Sequence, residues 1–80
     1  MNPQIPLSEV TSGEIAQVQV FNGGTNTTNR LVSLGFTPGV WLTMVQNYGH
    51  GPLIVSVRGS RIALGRGEAA KILVERGINE

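Results

Sequence analysis

Apolar and polar residues alternate in short segments along the chain, and glycine or proline separates one segment from the next. In residues 14–21, for example, the apolar residues Ala16, Val18 and Val20 occupy every second position. This period of two is typical of a half-buried strand, and the eleven glycines favour short strands over long helices. The predicted strands are the segments 14–21, 40–46, 53–58, 61–64 and 71–75.

Residues 25–34 are the best candidate for a helix. Residues 25–27 each carry a side-chain oxygen that can accept a hydrogen bond from the free amides of a first helical turn. Leu31 and Leu34 follow at helical spacing, so they lie on one face of the predicted helix.

The residues after this helix predict a stop and then a tight turn. Gly35 stands where a helix commonly ends in left-handed backbone, which glycine adopts without a steric penalty. Phe36 then packs back on Leu31, as this type of helix end predicts. Pro38 and Gly39 fit the two central positions of a type II turn, because proline supplies the first φ angle and glycine accepts the positive second one.

A hairpin is predicted from residues 53–58 and 61–64, which flank the dipeptide Gly59-Ser60. Glycine in the first position of a two-residue loop favours a type II′ turn. The register that follows places Arg58 opposite Arg61. It also pairs Val57 with Ile62 and Val55 with Leu64.

Eighty residues are enough for a single domain, predicted over residues 1–80 with its core at about 7–75. Leu7 and Val10 are expected to anchor the entry loop, and residues 76–80 are expected to fray. The fold class predicted is all-β: a small barrel of about five strands with one short helix inserted, because short strands with tight turns close economically into a barrel.

Composition excludes several classes of function. The chain has no cysteine, no aspartate and one histidine, and its net charge is +1. Disulfides and thiolate metal sites are therefore absent, and a catalytic triad has no supporting pattern, so we expect no enzyme. We also expect a cytoplasmic protein, because the N-terminus lacks the features of a signal peptide and no apolar run is long enough for a membrane span.

Candidate chemistry is sparse. His50, between two glycines, is the only weak candidate for a metal ligand, and the glutamates show no ligand spacing. Residues 65–70 match a G-x-G-x-x-A pattern, but too few residues follow for the helix that a dinucleotide site requires, so we take the match as chance. Trp41 and Tyr48 are candidates for a recognition surface, with coverage of the core as the alternative for Trp41.

Taken in order, a set of residues resembles the FeoA family of small proteins of bacterial ferrous-iron uptake. Its most specific parts are Leu-Gly-Phe-x-Pro-Gly at 34–39 and Ile-Ala-Leu at 62–64 with a following alanine. The matching positions are Leu31, Leu34, Gly35, Phe36, Pro38, Gly39, Gly51, Pro52, Val55, Val57, Gly59, Ile62, Ala63, Leu64, Ala69, Ile72 and Val74. The stretch 65–67 departs from the family, in which more charged residues are common.

The resemblance implies an SH3-like β-barrel and a role as a non-enzymatic accessory or regulatory adaptor of ferrous-iron uptake. The partner it implies is the cytoplasmic GTPase domain of an FeoB-type permease, with no membrane insertion and no nucleic acid. The oligomeric state stays open, and no cofactor is expected. The residues expected to contact the partner are Leu31, Leu34, Phe36, Trp41 and Tyr48, although Leu31, Leu34 and Phe36 are equally suited to the core.

Two alternative functions remain open from the sequence. One is a direct sensor that binds iron(II) weakly, for which His50 is the motivating residue. The other is a weak nucleic-acid binder, because five of the six basic residues lie in the last third of the chain.

Overall fold

A computed structural model describes residues 3–77 and shows a single six-stranded antiparallel sheet with the strand order β1-β6-β2-β3-β4-β5. The sheet dominates the fold and α1 is a short helix inserted between β2 and β3, so the expectation of an all-β fold with one short inserted helix is confirmed. The elements are β1 (Ile5–Pro6), a 3₁₀ turn (Leu7–Glu9), β2 (Ile15–Phe21), α1 (Thr25–Ser33), β3 (Trp41–Gln46), β4 (Leu53–Val57), β5 (Ser60–Leu64), α2 (Arg66–Ala69) and β6 (Ile72–Arg76).

Strand β1 is the element that the sequence pattern missed, and it raises the strand count from five to six. It has two residues and pairs with β6 through Ile5 opposite Val74 and Pro6 opposite Leu73. A segment of two residues is too short to show an alternation, and proline is uncommon in strands. Its place at the edge of the sheet makes the proline acceptable, since an edge strand leaves some N–H groups without a partner.

The inner faces of the strands enclose one apolar core with the 3₁₀ turn, α1 and α2. Leu7 and Val10, the two predicted anchors of the entry loop, are both fully buried. Every strand from β2 onward contributes to this core because its alternate residues point inward. The buried residues are Leu7, Val10, Ala16, Val18, Leu31, Phe36, Leu42, Met44, Leu53, Val55, Val57, Leu64, Ala69, Ile72 and Val74.

A β-bulge changes the inward face of β2 near its end. Val18 lies opposite Val74 and Val20 lies opposite Leu73, so the register shifts between Val18 and Val20. The extra residue reverses the alternation, and Val20 is 43% exposed instead of sharing the core face with Ala16 and Val18. The prediction of one continuous inward face was therefore wrong for Val20, because a bulge leaves no mark in the apolar pattern.

The hairpin between β4 and β5 forms, but its predicted turn and register are wrong. Val57 lies opposite Ser60 and Ser56 opposite Arg61, so the two central residues of the turn are Arg58 and Gly59. Both have positive φ, 52° for Arg58 and 81° for Gly59, as a type I′ turn requires. The inward faces are kept, because the pairing moves by two residues and the side-chain period is also two.

The prediction that the chain frays from residue 76 is wrong for Arg76 and Gly77. Arg76 is the last residue of β6, and the N–H of Gly77 donates to the carbonyl of Ile15 across 2.8 Å. The remaining predicted tail residues, 78–80, lie outside the described part of the chain.

Candidate functional site

Two backbone hydrogen bonds close the end of helix α1. The N–H of Phe36 donates to the carbonyl of Leu31 and the N–H of Gly35 to that of Val32, each across 3.0 Å. Gly35 has a φ of +103°. These are the two bonds of a Schellman motif with glycine in its left-handed position, so the predicted helix stop is confirmed. The helix start differs from the expectation, since its N-cap is Gly24 and no side chain caps it.

A type II turn follows the helix stop, as the sequence predicted. The N–H of Val40 donates to the carbonyl of Thr37 across 3.0 Å, and Gly39 has a φ of +90°. The turn is anchored on β2, because the N–H of Gly39 donates to the carbonyl of Val18 across 2.7 Å and the side chain of Gln17 donates to the Gly39 carbonyl across 3.0 Å. The chain therefore enters β3 at a defined position.

Arg58, in the hairpin turn, covers the helix stop from outside. A Cβ atom placed on Gly35 would lie 3.4 Å from Cδ of Arg58, so the arginine side chain passes over the glycine. Its Nη2 donates to Oγ1 of Thr37 across 3.2 Å. The sequence pattern did not single out this role of Arg58, because the contact joins residues more than twenty positions apart in the chain.

Leu34, Thr37, Arg58 and Trp41 form what we call the Trp41 surface. Leu34 directly precedes the glycine that Arg58 covers, and its side chain is 36% exposed. Trp41 begins β3 on the outer face, opposite Gln17, and is 53% exposed. Leu42 pairs with Val57, the last residue of β4, and Trp41 and Arg58 are the chain neighbours of these two paired residues.

Leu31 and Phe36, two of the five predicted partner contacts, are fully buried. Phe36 is the largest of the fully buried side chains, and the hydrogen bond from its N–H to the carbonyl of Leu31 places the two residues next to each other. The core alternative that the sequence left open therefore applies to both, and their side chains offer no surface to a partner. Leu34 follows Leu31 by three residues but stays accessible, since it is 36% exposed.

Tyr48 and His50 lie on a second exposed site, the loop between β3 and β4. Tyr48 is 69% exposed and His50 is exposed as well. Asn47 holds this loop: its Nδ2 donates to the carbonyls of Ser8 at 3.0 Å and Val10 at 2.7 Å. Its Oδ1 also accepts from the N–H of Gly49 at 3.0 Å. The exposed residues are thus presented by an ordered loop.

Arg66 completes this anchor from the α2 side. Its guanidinium donates to Oδ1 of Asn47 and to the carbonyls of Gly51 and Ser8, at 3.1 to 3.2 Å. Arg66 thus has a structural role in holding the loop. The sequence did not single out Asn47 or Arg66, because their partners are backbone carbonyls, which carry no sequence signal.

The two exposed aromatic residues lie at opposite ends of β3. Trp41 is the first residue of that six-residue strand and Tyr48 follows its end. A strand rises roughly 3.3 Å per residue, so about 20 Å separates them along the strand. The structure therefore does not bring Trp41 and Tyr48 together, and the predicted contact residues divide into two separate surfaces.

Four further charged side chains form two local pairs. Arg30 of α1 pairs with Glu68 of α2, and Nε of Arg76 lies 3.3 Å from Oε2 of Glu14. The hydroxyl and the N–H of Thr11 both donate to Glu14, at 2.6 and 2.8 Å. These bonds, led by the Thr11 hydroxyl and helped by the charge of Arg76, hold the pKa of Glu14 below its usual value.

A family model described as the FeoA domain matches residues 5–76. This chain belongs to the FeoA family. The match covers every strand of the sheet, so the resemblance inferred from the motifs at 34–39 and 62–64 is confirmed. The family is one of Fe(2+) transport accessory proteins and is not a known enzyme family.

Three FeoA relatives show how close the similarity is. A protein of Methanocaldococcus jannaschii, provisionally named Fe(2+) transport protein A, is 43% identical over 70 residues, which are 88% of this chain and 84% of that protein. A crystal structure of an iron uptake regulatory protein, FeoA, superposes with a TM-score of 0.87 at 38% identity, covering 92% of this chain and 99% of the other. The zinc complex of Stenotrophomonas maltophilia FeoA gives a TM-score of 0.77 at 34% identity, covering 86% and 87%.

The Stenotrophomonas maltophilia FeoA is described as a procaryotic SH3 domain protein. The expectation of an SH3-like fold for this FeoA chain is therefore confirmed. None of the helices in residues 3–77 is long and apolar enough to cross a membrane.

Metal ligands do not gather anywhere in the described part of this FeoA chain. Within residues 3–77, no group of three or more His, Cys, Asp or Glu side chains is placed to hold a metal ion. His50, the weak candidate from the sequence, lies on the exposed loop of Tyr48. Direct binding of iron(II) stays an untested alternative.

Proposed function

We propose that this chain is a non-enzymatic accessory protein of ferrous-iron uptake that binds the cytoplasmic GTPase domain of an FeoB-type transporter through its Trp41 surface. In this proposal the protein acts in the cytoplasm and has no cofactor of its own. Membership of the FeoA family and the names of its relatives support the role in Fe(2+) transport. The exposure of Trp41 is the observation that carries the choice of surface.

The Trp41 surface has the composition of a protein contact. Trp and Arg are the residues most often found at the energetic centre of protein interfaces, and here Trp41 and Arg58 are the chain neighbours of the paired residues Leu42 and Val57. Leu34 adds an exposed apolar side chain, and Val32 of the same helix is also exposed. The backbone beneath is held by the helix stop and the turn, so little ordering is required on binding.

Calorimetric titration of the whole chain with the purified GTPase domain of an FeoB-type transporter from the same organism tests the proposal. The expected result for Trp41→Ala is a dissociation constant at least about 30-fold weaker, the change that corresponds to the loss of a hot-spot residue. Tyr48→Ala is the matched control, because it removes an aromatic side chain of similar exposure from the other end of the barrel. We expect this variant to bind within about threefold of the unmodified protein.

Two results would contradict the proposal. If the two proteins do not associate at high micromolar concentrations, the FeoB-type transporter is not the partner. Strong weakening by Tyr48→Ala together with unchanged binding of Trp41→Ala would keep the partner and assign the contact to the Tyr48 loop instead. Thermal melts of both variants show whether a loss of binding reflects a loss of folding.

A further inference from the structure

Strand β5 forms one edge of the sheet, and its outer side has no strand beside it. In the part of the chain that the structure describes, β5 pairs only with β4. Ser60, Arg61 and Ala63 are exposed, and Ile62 is half-buried. An edge of this kind presents a row of N–H and C=O groups that another extended chain can pair with.

The register of the hairpin shows which backbone groups face outward. In a two-residue hairpin the residues that flank the turn, here Val57 and Ser60, form a hydrogen-bonded pair, and hydrogen-bonded pairs then alternate with non-bonded ones. Ser56 with Arg61 and Ile54 with Ala63 are therefore the non-bonded pairs. The N–H and C=O groups of Arg61 and Ala63 consequently point away from β4, toward the open edge.

The opposite edge of the sheet is protected, whereas this one is not. Strand β1 has two residues and one of them is Pro6, and both short length and proline discourage pairing with a further strand. Strand β5 has five residues, no proline and a regular pairing with β4 that contains no bulge. Only Arg61 places a charge on it.

Every charged side chain in residues 15–67, the segment that contains β5, is an arginine. No aspartate or glutamate occurs between Glu14 and Glu68, so the entire segment that forms α1 and strands β3 to β5 is without a carboxylate. Arg58 in the hairpin turn and Arg61 on the edge are both exposed. The side chain of Arg61 has no hydrogen bond or ion pair to any other described residue. The arginines that form ion pairs in residues 3–77 are Arg30 and Arg76.

We propose that the outer edge of β5 binds an extended acidic segment of a partner protein as a seventh strand. The backbone groups of Arg61 and Ala63 supply the pairing, and Arg58 and Arg61 select carboxylate side chains on the incoming segment. The proposal deepens the proposed function, on which it rests for the source of the segment. The site at the β5 edge shares Arg58 with the Trp41 surface but otherwise uses different residues.

The test uses a blocked eight-residue peptide of alternating glutamate and valine as the probe and the whole ¹⁵N-labelled chain as the target. We expect saturating peptide to slow amide hydrogen exchange at Arg61 and Ala63 at least tenfold and to leave Gly49, in the Tyr48 loop, unchanged. A peptide with lysine in place of glutamate is the matched control, and it is expected to cause no protection. Binding should also weaken as the salt concentration rises, because exposed charges contribute to it.

Ala63→Pro separates backbone pairing from simple charge attraction. Proline at this position removes an N–H that faces the open edge and not the ladder with β4, so the sheet is expected to form. The peptide should then bind at least tenfold more weakly. Arg61→Gln should weaken binding several-fold and reduce its dependence on salt. If Ala63→Pro fails to fold, a peptide N-methylated at alternate residues gives the same test on the unmodified chain, and equal binding of that peptide overturns the proposal.

Other outcomes overturn it directly. Equal protection by the lysine peptide would refute the preference for an acidic segment. Protection of Arg61 and Ala63 that rises with protein concentration in the absence of peptide would identify a second copy of this chain as the occupant. Binding of the transporter domain without binding of the peptide would refute only the β5 edge. Binding of the peptide without binding of the transporter domain would refute the proposed function and leave the acidic strand partner in place.

Discussion

The backbone N–H of Phe36 donates to the carbonyl of Leu31 across 3.0 Å, and both side chains are fully buried. This bond and the one from the N–H of Gly35 to the carbonyl of Val32 end the helix, and the first of them links two residues of the core. Gly35, between them in the chain, supplies the left-handed backbone that makes this geometry accessible. Leu34 precedes the glycine that Arg58 covers and is 36% exposed, so the motif that ends the helix also supplies a residue of the Trp41 surface.

Replacement of Gly35 by alanine should destabilise the protein by about 1–2 kcal/mol, because its φ of +103° is unfavourable for a residue with a Cβ atom. In a domain of this size we expect the melting temperature to fall by at least about 4 °C. Gly67→Ala is the matched control, since Gly67 lies in α2 with open space around it and should tolerate alanine. A fall of less than about 2 °C for Gly35→Ala would contradict the assignment.

The hairpin turn predicts an order of stability among variants of Arg58. Arg58 has a φ of 52°, a conformation that asparagine adopts readily and a β-branched residue does not. Arg58→Asn and Arg58→Val both lose the hydrogen bond to Thr37, so their difference reports on the turn alone. We expect the asparagine variant to be more stable by about 1 kcal/mol or more in urea unfolding. Equal stability of the two variants would argue against a type I′ turn.

Asn47→Ala should loosen the Tyr48 loop and cost about 1–3 kcal/mol, because the carbonyls of Ser8 and Val10 lose a donor. Faster amide hydrogen exchange at Gly49, whose N–H is bonded to Oδ1 of Asn47, is the local measurement. Tyr48→Ala provides the control, since it changes the exposed side chain next to Asn47 and should be close to neutral for stability. Unchanged exchange at Gly49 in Asn47→Ala would show that the loop is held by other contacts.

Glu14 should make stability depend on pH in the acidic range. The hydrogen bonds from Thr11, with the charge of Arg76, lower the pKa of Glu14 in the folded state below the value of about 4.3 expected in the unfolded chain. The stabilisation is therefore fully present above the unfolded pKa and is lost as the pH falls through the lower, folded pKa. Melting temperatures of Glu14→Gln and the unmodified protein should differ at pH 7 and converge at low pH. Thr11→Ala, which removes the hydroxyl donor, should reduce this difference, and a gap that persists unchanged at low pH would refute the prediction.

The elements that local patterns specify were predicted correctly, whereas several pairings were not. The helix stop at Gly35 and the turn at Pro38 and Gly39 follow from the backbone preferences of single residues, so a few neighbouring positions are enough to predict them. The hairpin register depends on whether Arg58 or Ser60 joins Gly59 in the turn, which the strand twist decides. The bulge before Val20 likewise depends on pairing with β6, a strand some fifty residues away in the chain.

The sequence by itself determined the all-β class, the family and the position of the helix stop, because periodicity, glycine and proline act over neighbouring residues. Only the tertiary structure decided which predicted contacts are accessible: Leu31 and Phe36 are buried, while Leu34 and Trp41 lie on one surface and Tyr48 on another. It also revealed the roles of Arg58, Asn47 and Arg66, whose partners are distant in the chain. The physical reason is that burial and side-chain contact are properties of the packed sheet, and an apolar residue suits a core and a binding surface equally well.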